Sequence, residues 1–167
     1  DTLGPLAHSV EDCVVADAVL RGLKRPVVKA AGLRGLRLLV PETVVFDAAD
    51  EAVLANFEAS LRRLTRAGCK VKRVRMPVFQ DILNLVASRG HILGAEALAL
   101  HWSRVKGPDG ARMDARVVSR ILMAEKMSAA DLVVFMETRR RMIAETAELA
   151  GDALIAFPTT AHVAMPA

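Results

Sequence analysis

The chain has 167 residues, 53% of them hydrophobic but only 4% aromatic, and carries a formal net charge of +4. That length suits one ordinary domain, and so high a hydrophobic share excludes an intrinsically disordered chain; the core must be built from Ala, Val, Leu and Met rather than from rings. The longest apolar runs are a handful of residues, far short of the roughly 20 that span a bilayer, and no charged-then-apolar leader stands at the front, so neither a membrane span nor secretion is expected.

In chain order, Gly4-Pro5 marks a turn. Ser9 with Asp12 three residues on forms a helix-capping pair, followed by Val14, Val15, Ala18 and Val19 as an apolar face. "GLRLLVP", Gly35 to Pro41, predicts a short apolar strand stopped by proline. Asp47 and Asp50 announce a second helix, in which Val53, Leu54, Phe57, Leu61 and Leu64 recur at helical spacing until Gly68. Val71 to Met76 predicts another strand. Strand, helix and strand in about forty residues predict a right-handed βαβ crossover with parallel strands.

After Pro77 one long helix is expected, its stripe running through Phe79, Ile82, Leu83, Val86, Gly90, Leu93, Ala97 and Leu100. Gly90 and Gly94 would admit another backbone against it. "KGPDGAR", Lys106 to Arg112, is expected to be a loop. A shorter helix through Val117, Val118, Ile121 and Leu122 follows, then a longer one through Leu132, Phe135, Met136, Met142 and Ile143, closed by Gly151. "ALIAFP" predicts a third strand and "TTAHVAMPA" an irregular tail. No repeat or low-complexity linker divides residues 1–167, so the expectation is a single α/β unit.

Few residues announce chemistry. Cys13 and Cys69 lie in different elements without metal-ligand or CxxC spacing, which suits reduced thiols in a cytoplasmic compartment. Arg62, Arg63, Arg66, Lys70, Lys72, Arg73 and Arg75 form a basic run, as Arg139 to Arg141 do later. With no aromatic residue inside the first run and no nucleic-acid-binding signature around it, it is expected to be a solvated helix end and edge strand, not a nucleic-acid face. No GxSxG, GxxxxGK, HExxH or GxGxxG pattern occurs. His8, His91, His101 and His162 are scattered; His91 and Glu96, five apart, share no helix face as a metal pair should. Ser88 stands three residues before His91 without an orienting acid, a weak basis for a catalytic dyad. The methionines at Met76, Met113, Met123, Met127, Met136 and Met142 are expected to fill core space. No metal or cofactor is expected.

Several blocks, in order, resemble the amidase signature family. "DTLGPLAHSVEDC" is similar to that family's D-x-x-GP-x-AR segment, "GLRLLVP" to its GLRIGVP strand, and "DEAVLANFEASLRRLTRAGCKVKRVRMP" to its helix ending in AG before a strand. "GAEALALHW" resembles its E-AxxxH helix, "DARVVSRILMAEKMSAADLV" the helix pair that follows, and "DALIAFPTTAHVAMPA" its PTTP segment. His8 replaces the family's arginine, and Leu39 replaces a glycine. The first removes whatever charge interaction that arginine makes; the second only fills space in a strand.

The resemblance implies part of the amidase-signature fold, a mixed sheet with flanking helices and a parallel βαβ unit near the start. It also implies hydrolysis of small carboxamides by a serine nucleophile, a bridging serine held by a cis peptide bond, and a lysine base. A desolvated lysine reaching the nucleophile through a hydroxyl can take its proton, and backbone amides stabilise the oxyanion. In the family that machinery lies in a Gly/Ser-rich region upstream of the D-x-x-GP block. This chain opens on that block and contains no Gly-Gly, Ser-Ser, Gly-Ser or Ser-Gly pair. The expectation is therefore a C-terminal portion that lacks the catalytic half, is inactive alone, and contributes scaffold and pocket wall.

By the same resemblance Thr159 and Thr160 come near the acyl side of the substrate, and the helices around Glu96 to His101 and Val118 to Leu122 help set substrate choice. No catalytic residue is assigned within the chain. The missing half would leave an apolar face favouring aggregation or a homodimer. Two alternatives stand: an A-type component of an amidotransferase, which would need partner subunits, and a non-catalytic interaction module derived from the same fold.

Overall fold

A computed structural model describes residues 4–24, 26–27 and 29–164. Residues 1–3 and 165–167, which carry the outer ends of the first and last resembling blocks, lie outside the described residues. The chain divides into two compact units, residues 1–32 and 33–167.

Among its described residues the first unit holds one helix, α1 (Val10–Leu20). Ser9 caps it as expected: the Asp12 N–H donates to Ser9 Oγ at 3.1 Å, and the Ser9 hydroxyl donates to Asp12 Oδ2 at 2.7 Å. Ala18 is buried and Val14 and Val15 half-buried, whereas Val19, expected on the same face, is 72% exposed. One residue beyond Ala18 is a rotation of about 100°, enough to leave the face.

The second unit is built on β1 (Arg37–Pro41), which lies between β2 (Lys70–Val74) and β3 (Leu154–Ile155), with both pairings parallel. Leu38 to Pro41 are all buried, which explains why the strand reads as an unbroken apolar run: a central parallel strand is covered on both faces. α2 (Glu51–Arg66) makes the crossover between β1 and β2. It ends where Gly68 takes φ +101°, and a Cβ there would meet the Arg34 backbone at 3.1 Å. Leu39 sits in the core with Ala150 and Ala153, against Val74 and Ile155. The Leu39 side chain thus joins the end of the last helix to the sheet.

The long helix expected after Pro77 is two helices, α3 (Val78–Arg89) and α4 (Ile92–Lys106). Gly90 breaks it with φ +80°, and the His91 ring caps α4, its Nδ1 accepting from the Gly94 N–H at 2.9 Å. The apolar stripe continues across the break, so periodicity alone concealed it. Side chains rather than a backbone approach the two glycines: Met127 faces Gly90, while Ala124 and the His91 ring face Gly94.

Lys106 to Arg112, expected as a loop, contains a 3-10 turn at Pro108–Arg112. α5 (Ala115–Leu122) and α6 (Ala129–Ala150) follow, with another 3-10 turn, Met123–Lys126, between them and Gly151 closing α6 at φ +56°. Among the methionines, Met76 and Met142 are buried as expected, but Met123 is 67% exposed on the turn after α5.

At the start of α6, Ser128 and Asp131 form a reciprocal capping box, and Arg89 at the end of α3 donates to Asp131 Oδ1 at 2.8 Å. The Ser128 hydroxyl, then Arg89, lower the Asp131 carboxyl from 3.8 to about 2.

Two predictions follow from this packing. Leu39→Ala should cost roughly 2–5 kcal/mol, read from urea unfolding, because the cavity opens where sheet and α6 meet. Asp131 titrates lower when folded, so its contribution is complete above 3.8 and is lost as pH falls towards about 2. The Tm difference between the chain and Asp131→Asn should therefore shrink through that interval.

Candidate functional site

The residues after β3 turn back across the N-terminal end of α2, and one side chain holds them there. Asp50 occupies the N-cap position of α2, but its carboxylate makes no cap bond to the helix. It instead accepts from the Val163 N–H at 3.0 Å and lies 3.2 Å from His162 Nδ1. The Asp50 N–H donates to the Ala161 carbonyl at 2.8 Å, and the Thr160 hydroxyl donates to the His162 carbonyl at 3.0 Å. The Val163 amide first, and His162 after it, hold the Asp50 carboxyl below the usual carboxylate range. Two residues before it, Ala48 takes φ +57°, the one non-glycine in the left-handed region among the described residues. The backbone entering α2 is thus locally strained where it delivers Asp50.

Between this segment and α2 lies an open groove of about 540 Å³. Val53 and Phe57 form one wall; Phe157, Thr159, Thr160 and His162 form the other. Both rings are braced from behind. Phe57 packs on Phe46 with centroids 5.7 Å apart, and Phe157 meets Phe79 edge-on at 5.4 Å. The groove therefore combines aromatic and aliphatic surface with the hydroxyls of Ser60, Thr159 and Thr160, the Asn56 carboxamide and one imidazole.

Thr159 and Thr160 both line it. The α4 segment Glu96 to His101 and the α5 segment Val118 to Leu122 do not; the structure does not bring them to this groove. A separate, mostly apolar groove of about 430 Å³ runs beside α4, past Ala95, Trp102, Met127 and Leu132. Ser88 and His91 form no dyad: the Ser88 hydroxyl donates to the Asn84 carbonyl at 2.8 Å, and His91 Nδ1 is occupied in capping α4. The basic run lies on the last turns of α2 and along β2, an edge strand, where Arg73 is paired with Glu58. Asp50 and His162 are not recognisable as a pair from sequence because 112 residues separate them and each carries a duller local meaning, a helix start and a stray histidine.

No family model matches the chain. It is similar to the 2-amino-5-chloromuconic acid deaminase of Comamonas testosteroni, at 29% identity over 99% of this chain and 36% of that protein. It is also similar to the A-type component of the glutamyl-tRNA(Gln) amidotransferase of Thermotoga maritima, at 28% identity over 87% of this chain and 32% of that protein. A Pseudomonas putida amidase is 27% identical over 89% of this chain and 34% of its own length. Among solved structures, a variant of Kluyveromyces lactis allophanate hydrolase superposes with a TM-score of 0.60 at 20% identity, covering 71% of this chain and 19% of that one. The chain thus spans about a third of the length of the curated relatives it matches.

If the Asp50 carboxylate is what ties residues 161–163 down, Asp50→Ala should speed hydrogen exchange at the Val163 amide by about tenfold. Far-UV circular dichroism should show the helices intact.

Proposed function

We propose that this chain, a member of the amidase signature family, is part of an amide hydrolase that transfers the acyl group of a small carboxamide to water and releases ammonia or an amine. The observation that carries this reading is the alignment of nearly the whole chain with proteins named for carbon–nitrogen chemistry: a deaminase, an amidase and a component of an amidotransferase. Within such an enzyme the serine nucleophile, bridging serine and lysine base fall in the part of the relatives that this chain does not span. The absence of any Gly/Ser doublet from these residues agrees with that division. Residues 1–167 then act as a C-terminal portion, supplying scaffold and pocket wall and inactive by themselves.

In this reading Thr159 and Thr160 face the acyl side of the substrate. Both threonines are exposed on the wall of a groove that Val53, Phe57 and Phe157 line with apolar surface and Asn56 and Ser60 with polar groups, an arrangement suited to a short acyl chain bearing a polar group. Leu93, Leu100 and Trp102, half or more exposed on α4, would be covered by the remainder of the longer protein or by a second copy. Cys13 and Cys69 are both unpaired thiols, which fits a cytoplasmic enzyme.

A second reading is the A-type component of an amidotransferase, favoured by matches to proteins of that name from Thermotoga maritima and Pseudothermotoga lettingae. It differs in consequence: ammonia would pass to a second substrate, and activity would require partner subunits.

The test is ammonia release from a panel of small carboxamides, comparing this chain with a longer protein carrying the upstream region. Turnover by the longer protein alone is the expected result; turnover by residues 1–167 would overturn the division of labour. In the longer protein Thr159→Val should raise KM by about three- to tenfold with little change in Tm, since one neutral hydrogen bond is removed from an exposed position.

A further inference from the structure

The basic run at the end of α2 and along β2 surrounds backbone groups that the sheet leaves unused. β1 pairs with one side of β2, and among the described residues no strand pairs with the other. The Lys70 N–H donates to the Leu36 carbonyl at 2.7 Å, and the Val74 carbonyl accepts from the Glu42 N–H at 2.8 Å. Successive residues of a strand turn their N–H and C=O to opposite sides. Lys70, Lys72 and Val74 therefore face β1, while Val71 and Arg73 turn theirs outward. That edge offers two donors and two acceptors to an incoming strand.

The side chains around it carry almost one sign of charge. An open groove of about 360 Å³ lies between α2 and β2, over buried Leu61 and half-buried Val71. Arg73 is paired with Glu58 there, and the Thr65 hydroxyl donates to the Leu61 carbonyl at 2.9 Å. Arg62 and Arg66 line the same groove four residues apart on α2. Both are exposed and make no ion pair or side-chain hydrogen bond among the described residues, and like charges at that spacing repel. Lys70 and Lys72 alternate with Val71 and Arg73 along β2, so they stand exposed on its other face. No acid follows Glu58 until Asp81.

We propose that the outer edge of β2 receives an extended, acid-rich segment of a partner protein as a further strand. The segment's backbone bonds the outward N–H and C=O groups of Val71 and Arg73. Its carboxylates meet Arg62 and Arg66 on the α2 face and Lys70 and Lys72 on the other, so acids are needed on both faces of the added strand. A nucleic acid fits less well. Residues 58–75 contain no aromatic ring on which a base could stack, and a phosphate backbone cannot complete a ladder of amides and carbonyls. This groove shares no lining residue with the one after β3, so the inference stands apart from the amide-hydrolase reading.

The test titrates the acetylated hexapeptide Glu-Val-Glu-Glu-Val-Glu, which carries acids on both faces when extended, into the ¹⁵N-labelled chain. Exchange of the Val71 and Arg73 amide hydrogens should slow by about tenfold on binding, while the Lys70 amide, already bonded, should not change. Affinity should fall about tenfold between about 50 and about 300 mM salt. It should fall by about five- to tenfold in Arg62→Gln/Arg66→Gln, with the far-UV circular dichroism unchanged. Unslowed Val71 and Arg73 amides, equal binding of the same peptide with glutamine for glutamate, or tighter binding of a short oligothymidylate would each overturn the proposal. So would slowing that tracks chain concentration without peptide, which assigns the edge to a second copy. Loss of binding in the longer protein carrying the upstream region would overturn it too, by assigning the edge to that region.

Discussion

The second unit depends on where one carboxylate directs its hydrogen bonds. An aspartate at a helix start ordinarily satisfies the first amides of its own helix. Asp50 gives up that role and binds the His162 ring and the Val163 amide, 112 and 113 residues away. Among the described residues past β3, the Ala156 N–H bonds the Leu39 carbonyl and the Ala161 carbonyl accepts from the Asp50 N–H; the carboxylate adds the two bonds that hold His162 and Val163. The side of the groove formed by His162 and Val163 is held against α2 by it.

A second constraint makes the first effective. β1 receives β2 on one side and β3 on the other, so β1 fixes both the start of α2, through the crossover, and the start of the closing segment, through Leu38 and Leu39. Leu39 also carries the contact to Ala150 and Ala153. The two ends that Asp50 joins are therefore set by neighbouring positions of one buried strand, and a shift in its register would separate them.

Much of this architecture was legible in the residues. Ser9, Gly68 and Gly151 mark helix ends because capping and left-handed backbone are local demands. The parallel βαβ unit follows from the spacing of two apolar runs about a helix. What was not legible is non-local or ambiguous. The stripe from Phe79 to Leu100 keeps helical phase across Gly90, so a glycine tolerated in a helix and one that ends it looked alike until His91 was seen capping α4. Thr159 and Thr160 came from family resemblance, and the groove around them could not be inferred from their neighbours in sequence. Asp50 had two competing partners, its own helix and a distant amide, and only the fold decides between them.

The outer edge of β2 has a consequence for how copies of this chain meet. An unpaired strand edge offers its amides and carbonyls to any passing strand, and a second β2 would be the closest match. Lys70, Lys72 and Arg73 are exposed along it, with Arg62, Arg63 and Arg66 on the nearby end of α2. Two such edges brought together would oppose positive charge to positive charge, and crowding would be resisted most at low ionic strength. Salt should therefore act on this molecule as a cohesive agent, weakening the repulsion that keeps one sheet from extending into the next.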